Sequence, residues 1–147
     1  MHNSIKILEQ ESEELSATLS RDVQYPPNCF QAMNGTFLQY ESRSSLTASF
    51  PVSRETLNPM QKMQGGFIAA AFDNTFGPLS YLAARGLCVT LDLHTQFVRA
   101  IDVGDELTIV AKVASRGPNT MYLTGEARNK KGKLIAACSA NILVVKP

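Results

Sequence analysis

Residues 65–84 read Gly-Gly-Phe-Ile-Ala-Ala-Ala-Phe-Asp-Asn-Thr-Phe-Gly-Pro-Leu-Ser-Tyr-Leu-Ala-Ala, a stretch whose one charged side chain is Asp73. Ala and Leu favour a helix, and since nearly every face is apolar the pattern predicts a helix sheathed by the rest of the chain. At ~1.5 Å per residue it is ~30 Å long, the width of a small domain, so it runs through or along the middle of the fold. Gly86 supplies its C-terminal stop. A carboxylate in such surroundings costs several kcal/mol unless partners offset it, which makes Asp73 a functional-site candidate. The competing reading is a structural acid that bonds a neighbouring loop or caps a second helix starting near Pro78.

Outward from this helix the chain alternates in β fashion. Two short strands are predicted at about 35–41 and 46–53, joined by Ser42-Arg43-Ser44-Ser45 as a hairpin. Four more follow at about 88–99, 105–115, 119–128 and 134–145. Asp102-Val103-Gly104-Asp105, Arg116-Gly117-Pro118-Asn119 and Asn129-Lys130-Lys131-Gly132 are short connections suited to antiparallel neighbours. Residues 4–20 carry Ile5, Leu8, Leu15 and Leu19 among polar residues, a weakly amphipathic outer helix ended by Tyr25-Pro26-Pro27-Asn28. The plan is α+β: a hairpin, one long helix, then an antiparallel meander, with residues 1–34 as a helical extension and 35–147 as the main domain.

Composition excludes several functions. The chain has 147 residues, a net charge of +1 and scattered basic residues, which gives no electrostatic case for nucleic acid. Lys130, Lys131 and Lys133 read as a solvated hairpin tip. Cys29, Cys88 and Cys138 are odd in number and outside any C-x-x-C pattern, so neither a disulfide framework nor a zinc site is expected. Only two histidines occur, His2 and His94, which removes a His-based metal site, and no G-x-S-x-G elbow or phosphate-binding glycine motif is present. Without an apolar run of membrane-span length or a signal-peptide core, the expected location is cytoplasmic.

The segment before and into the helix, Asn58-Pro-Met-Gln-Lys-Met-Gln64-Gly65-Gly66, followed by Asp73, resembles the hotdog-fold acyl-CoA thioesterases of the phenylacetyl-CoA thioesterase-like branch. That family shows Asn, then His-Gly-Gly six residues on, then an acid nine residues after the His. Asn58, Gly65, Gly66 and Asp73 fall in register, and Gln64 stands where the family has His. Thr90 before Asp92-Leu93, and Phe97-Val98-Arg99-Ala100 followed by Gly104, are similar to further family elements. The resemblance spans roughly residues 35–145.

It implies an antiparallel sheet of about six strands wrapped around the helix, and hydrolysis of an aryl or short-to-medium acyl-CoA with no cofactor beyond the coenzyme A of the substrate. Asp73 would act as general base or nucleophile, with Thr90 holding the water or the carboxylate. The Gly65 N–H would polarise the thioester oxygen, and Asn58 and Gln64 would position substrate or water. Gln can exchange hydrogen bonds but carries no proton near neutral pH, so position 64 cannot be an acid or base. Gly66, Met63, Phe67, Phe72 and Phe76 are the expected pocket residues, and Arg99, with Arg85 and Arg116, a candidate for the coenzyme A phosphates. The alternative is a non-catalytic acyl-CoA or acyl-carrier binding module; a hydratase is disfavoured because the helix lacks His.

Helix length adds an inference of its own. Eight residues separate Gly65 from Asp73, ~12 Å of rise, too far for both to reach one thioester carbon. Two helices antiparallel across a twofold axis would bring Gly65 of one beside Asp73 of the other, a homodimer with two composite sites. The resemblance implies the same dimer, and pairing of dimers into tetramers.

Overall fold

The computed structural model describes residues 2–19 and 23–145. Its elements are helices α1 (His2–Thr18), α2 (Asn28–Ala32) and α3 (Gly65–Ala84), and strands β1 (Thr36–Glu41), β2 (Ser45–Pro51), β3 (Leu87–Phe97), β4 (Glu106–Arg116), β5 (Thr120–Arg128) and β6 (Leu134–Val145). Residue 20, the last expected in the first helix, and the His2 side chain lie outside the described set. The short α2 was not anticipated.

The strands form one antiparallel sheet in the order β1-β2-β4-β5-β6-β3. This corrects the meander: β3 and β4 are not neighbours, despite the turn residues between them. Instead the connection lies along the chain before α3, where Met63 N–H donates to Ile101 O (3.1 Å) and Gly104 N–H to Val52 O (3.0 Å). It thereby delivers β4 to the free side of β2 and leaves β3 at the opposite edge, paired only to β6. Short-range turn chemistry cannot report such a crossing.

Helix α3 is continuous through Pro78, so no second helix begins there. Gly77, lacking Cβ, relieves the clash that a proline imposes on a helical residue before it. The helix ends at Ala84 as expected, with Arg85 rather than a glycine in the left-handed conformation (φ 53°) and the Gly86 N–H closing on Tyr81 O at 3.2 Å. One face of α3 packs on the sheet through Ile68, Ala71, Phe72, Thr75, Phe76 and Leu79, all buried. Phe72 and Phe76 stack at 5.9 Å and lie over Gly125 of β5, where a Cβ would stand 3.1 Å from one ring and 3.2 Å from the other. Burial of each such ring stabilises the fold by roughly 1.5–3 kcal/mol.

The opposite stripe, Gly66, Ala70, Asp73, Gly77 and Tyr81, is only partly covered. The expectation of a fully sheathed helix is therefore corrected in this chain. Helix α1 covers the other flank: Leu8 is fully buried, and Glu11 accepts hydroxyl hydrogen bonds from Tyr40 and Ser42.

Candidate functional site

The sequence-selected residues fall into two clusters at different points along α3. The first joins residues 17 apart in sequence: the Thr90 hydroxyl donates to Asp73 Oδ1 at 2.7 Å. Thr90 is the only hydrogen-bond partner of the Asp73 carboxylate among the described residues.

A β-bulge places Thr90 there. In β3, Phe97, Thr95 and Leu93 oppose Ala136, Cys138 and Ala140 of β6, all core residues, and so face the helix. Regular alternation would turn Thr90 outward. The register slips at Leu91, Thr90 comes opposite buried Ile142, and its hydroxyl is aimed at α3. Asp92 secures the irregularity, because its Oδ1 accepts the Asn141 backbone N–H (2.9 Å) and both its oxygens accept from Asn141 Nδ2. These bonds to the Asn141 backbone and side chain hold the Asp92 carboxyl below its usual range. The Thr90-Leu91-Asp92 run is thus one device: the acid fixes the bulge that orients the hydroxyl.

The second cluster surrounds the start of α3. Gln64 is the N-cap (φ −63°, ψ 141°), exposed, with no side-chain cap bond, and the amides of Gly65 and Gly66 have no protein acceptor among the described residues. Two unpaired N–H groups at the positive end of the helix dipole suit a developing oxyanion. The exposed Phe97 ring lies against Gly65, where a Cβ would come within 3.0 Å of it. Asn58 is partly committed to its loop, since its Oδ1 accepts the N–H groups of Met60 (2.9 Å) and Lys62 (3.1 Å). Lys62 in turn pairs with Asp102. Because α3 is one unbroken helix, these groups and Asp73 stay ~12 Å apart within a chain.

Several expected pocket residues do other work here. Met63, Phe72 and Phe76 are 4%, 0% and 0% exposed, core side chains with no surface left for a ligand. Phe67 is 37% exposed beside the helix start and is open to a partner or substrate. Arg99 is exposed and donates to Leu134 O at 3.3 Å, while Arg116 donates to Arg43 O. Burial pushes the Cys88 and Cys138 thiols up, against thiolate formation, and Cys29 is the exposed cysteine.

From Asp73 and Thr90 a groove of about 630 Å³ leads along the seam between α3 and β3. Asn74, Gly77, Pro78 and Tyr81 supply one wall, and Cys88 and Val89 the other. Residues that sequence reasoning missed complete it: Leu15 and Ser16 of α1, Tyr25, Pro27 and Cys29. Asn74 is a further omission, buried and tying α3 to α2 through Nδ2 to Cys29 O (3.3 Å). A second depression, about 670 Å³, lies on the outer sheet face among His94, Lys112, Glu126 and Ser139 and holds none of the candidate residues. Among the described residues no group of three potential metal ligands converges, and no helix is long and apolar enough to cross a membrane.

The thioesterase superfamily model matches residues 60–136, a span that includes the start of α3, Asp73 and the bulge of β3. A search of curated proteins finds no match. Among solved structures the chain is similar to the PaaI protein of the E. coli phenylacetic acid degradation operon, at TM-score 0.80 and 19% identity over 95% of this chain and 94% of that one. A phenylacetic acid degradation-related protein from Ralstonia eutropha gives 0.74 and 26% identity over 91% and 98%. A hypothetical thioesterase from Streptococcus pneumoniae, solved with coenzyme A, gives 0.72 and 19% over 76% and 86%. The six-stranded sheet around one long helix is the hotdog architecture of these structures, and the chain belongs to the thioesterase superfamily as a thioester hydrolase.

Proposed function

We propose that the protein hydrolyses an acyl-CoA thioester, with Asp73 as the base that draws a proton from attacking water. The observation that carries this reading is the Thr90–Asp73 pair at the head of the α3–β3 groove. One carboxylate oxygen is held by the hydroxyl, which leaves the other to orient water. The coenzyme A in the Streptococcus pneumoniae structure supports the substrate class. A thiol-release assay across aryl, short, medium and long acyl-CoA esters tests it: free coenzyme A should appear from at least one class. Tight acyl-CoA binding with no release from any would favour a binding module instead.

The site is completed by a second copy of the chain. Strand β3 is an eleven-residue edge with Val89, Leu91, Phe97 and the adjoining Val98 each about half exposed, a surface that calls for a covering strand. An antiparallel β3–β3 pair serves the chemistry only in a register that sets Thr90, beside Asp73, opposite the partner's Phe97, beside Gly65. The bulge at Leu91 adds one residue to that count, which puts the twofold axis at His94 facing the partner's His94. The Val98 N–H bonds Ile135 O of β6, so by alternation His94 also turns its backbone toward β6. The two His94 residues would then form a non-hydrogen-bonded pair, Cα atoms ~4.5 Å apart, within the disulfide range. His94→Cys should therefore cross-link to itself readily under mild oxidation. Efficient self-linking of Gln96→Cys instead, with His94→Cys inert, would move the axis and reject this register.

A further inference from the structure

We infer that the N-terminal segment makes the acyl-binding wall of the site, and that the α3–β3 groove it covers takes an unbranched acyl chain of medium length. This rests on the acyl-CoA reading above and adds to it where the acyl group goes and what limits its size. The covering residues, Leu15, Ser16, Tyr25, Pro27 and Cys29, all precede the family-matched span, and Cys29 is tied to α3 by the Asn74 bond.

The groove has direction. Asp73, Gly77 and Tyr81 recur at every fourth residue along one face of α3, and the end beyond Tyr81 is lined by Leu82, Leu87 and Val145. From Asp73 to Leu82 is ~13 Å of helix. A carbon chain of ~1.5 Å bonds advances ~1.3 Å per carbon, so the length accommodates roughly ten carbons. Gly77 keeps the passage open one turn beyond Asp73, because beyond its chain neighbours and its own helix's backbone nothing lies within 4 Å of where its Cβ would stand.

Its electrostatics favour the acyl group over coenzyme A. Among the described residues no lysine or arginine lines it, and Asp73 at the head is the one charged residue there. Burial pushes the Tyr25 phenol up to about 12 and raises Tyr81 as well, so both rings stay neutral. Such a wall offers apolar surface to a hydrocarbon and no cationic partner, among the described residues, to the coenzyme's diphosphate.

Cys29 gives a direct probe, since it is exposed at the groove while Cys88 and Cys138 are buried. The folded protein would be alkylated with N-ethylmaleimide in the presence of coenzyme A, or of its S-methyl or S-decyl thioether, none of which can be hydrolysed. At about ten times its dissociation constant the S-decyl thioether should slow Cys29 labelling about tenfold, and the other two should leave it nearly unchanged. Equal protection by coenzyme A alone would place the pantetheine arm in the groove and overturn the inference. So would thiol release from acyl-CoA without length-dependent protection. Length-dependent protection in a protein that hydrolyses no acyl-CoA would uphold the groove and reject the hydrolase reading. As a second measurement, Leu87→Trp at the far end, once shown to fold, should cut kcat/KM for decanoyl-CoA about tenfold or more while sparing butyryl-CoA. Equal loss on both substrates would reject the groove as the acyl site.

Discussion

Asp73→Asn is expected to lower turnover at least ~100-fold, with little change in substrate affinity, because a positioned general base contributes about 10²- to 10⁴-fold. The substitution suits the test because it preserves what the carboxylate does structurally. Asn keeps an oxygen where Asp73 Oδ1 accepts the Thr90 hydroxyl, so the α3–β3 contact survives. Partial exposure of residue 73 also means that no buried charge is removed. What is lost is basicity alone. Loss of kcat with KM maintained is the signature of an interaction made in the transition state. Turnover unchanged in Asp73→Asn would exclude this carboxylate as base or nucleophile.

How much of this the sequence disclosed depends on range. The strands and α3 were legible from alternation and composition, since those patterns are written in neighbouring residues. Strand order was not: the turn residues at 102–105 read as a hairpin, whereas the chain there crosses to β2. The helix was misread in an instructive way. Gly66, Ala70 and Gly77 count as apolar, so α3 looked buried all round, yet the same small residues mark the face that stays accessible beside Asp73.

Phe72 and Phe76 read as pocket residues in sequence because aromatic side chains near a candidate acid invite that reading. Glycine at position 125 admits both rings against the sheet, a relation across some fifty residues that spacing cannot show. Thr90 was reachable only through the family resemblance, since the bulge that turns it toward Asp73 depends on pairing with β6. The covering segment over the groove left no local signal, because Cys29 meets Asn74 only in the folded chain.

Mixing two inactive chains should restore about a quarter of full activity if the site is composite. One chain carries Asp73→Asn, the other Gly65→Pro, which removes a helix-start N–H at a cost of roughly 10²- to 10³-fold. Proline is tolerated at the first position of a helix, and Gln64 before it already has the extended backbone that a following proline requires. The Phe97 ring against Gly65 is about half exposed and has room to yield. Each parent therefore keeps its fold while losing one component of catalysis, to be confirmed by its thermal transition and its dimer mass. In a mixed dimer the intact Gly65 of the first chain meets the intact Asp73 of the second, and the other site loses both. Random exchange makes about half of the dimers mixed, each with one working site of two. The continuous helix requires this outcome of any mechanism that uses both residues at one thioester, since it holds them ~12 Å apart within a chain. Exchange verified by mass with no recovered activity would mean that Gly65 and Asp73 do not act on the same substrate across an interface, and the composite site would have to be given up.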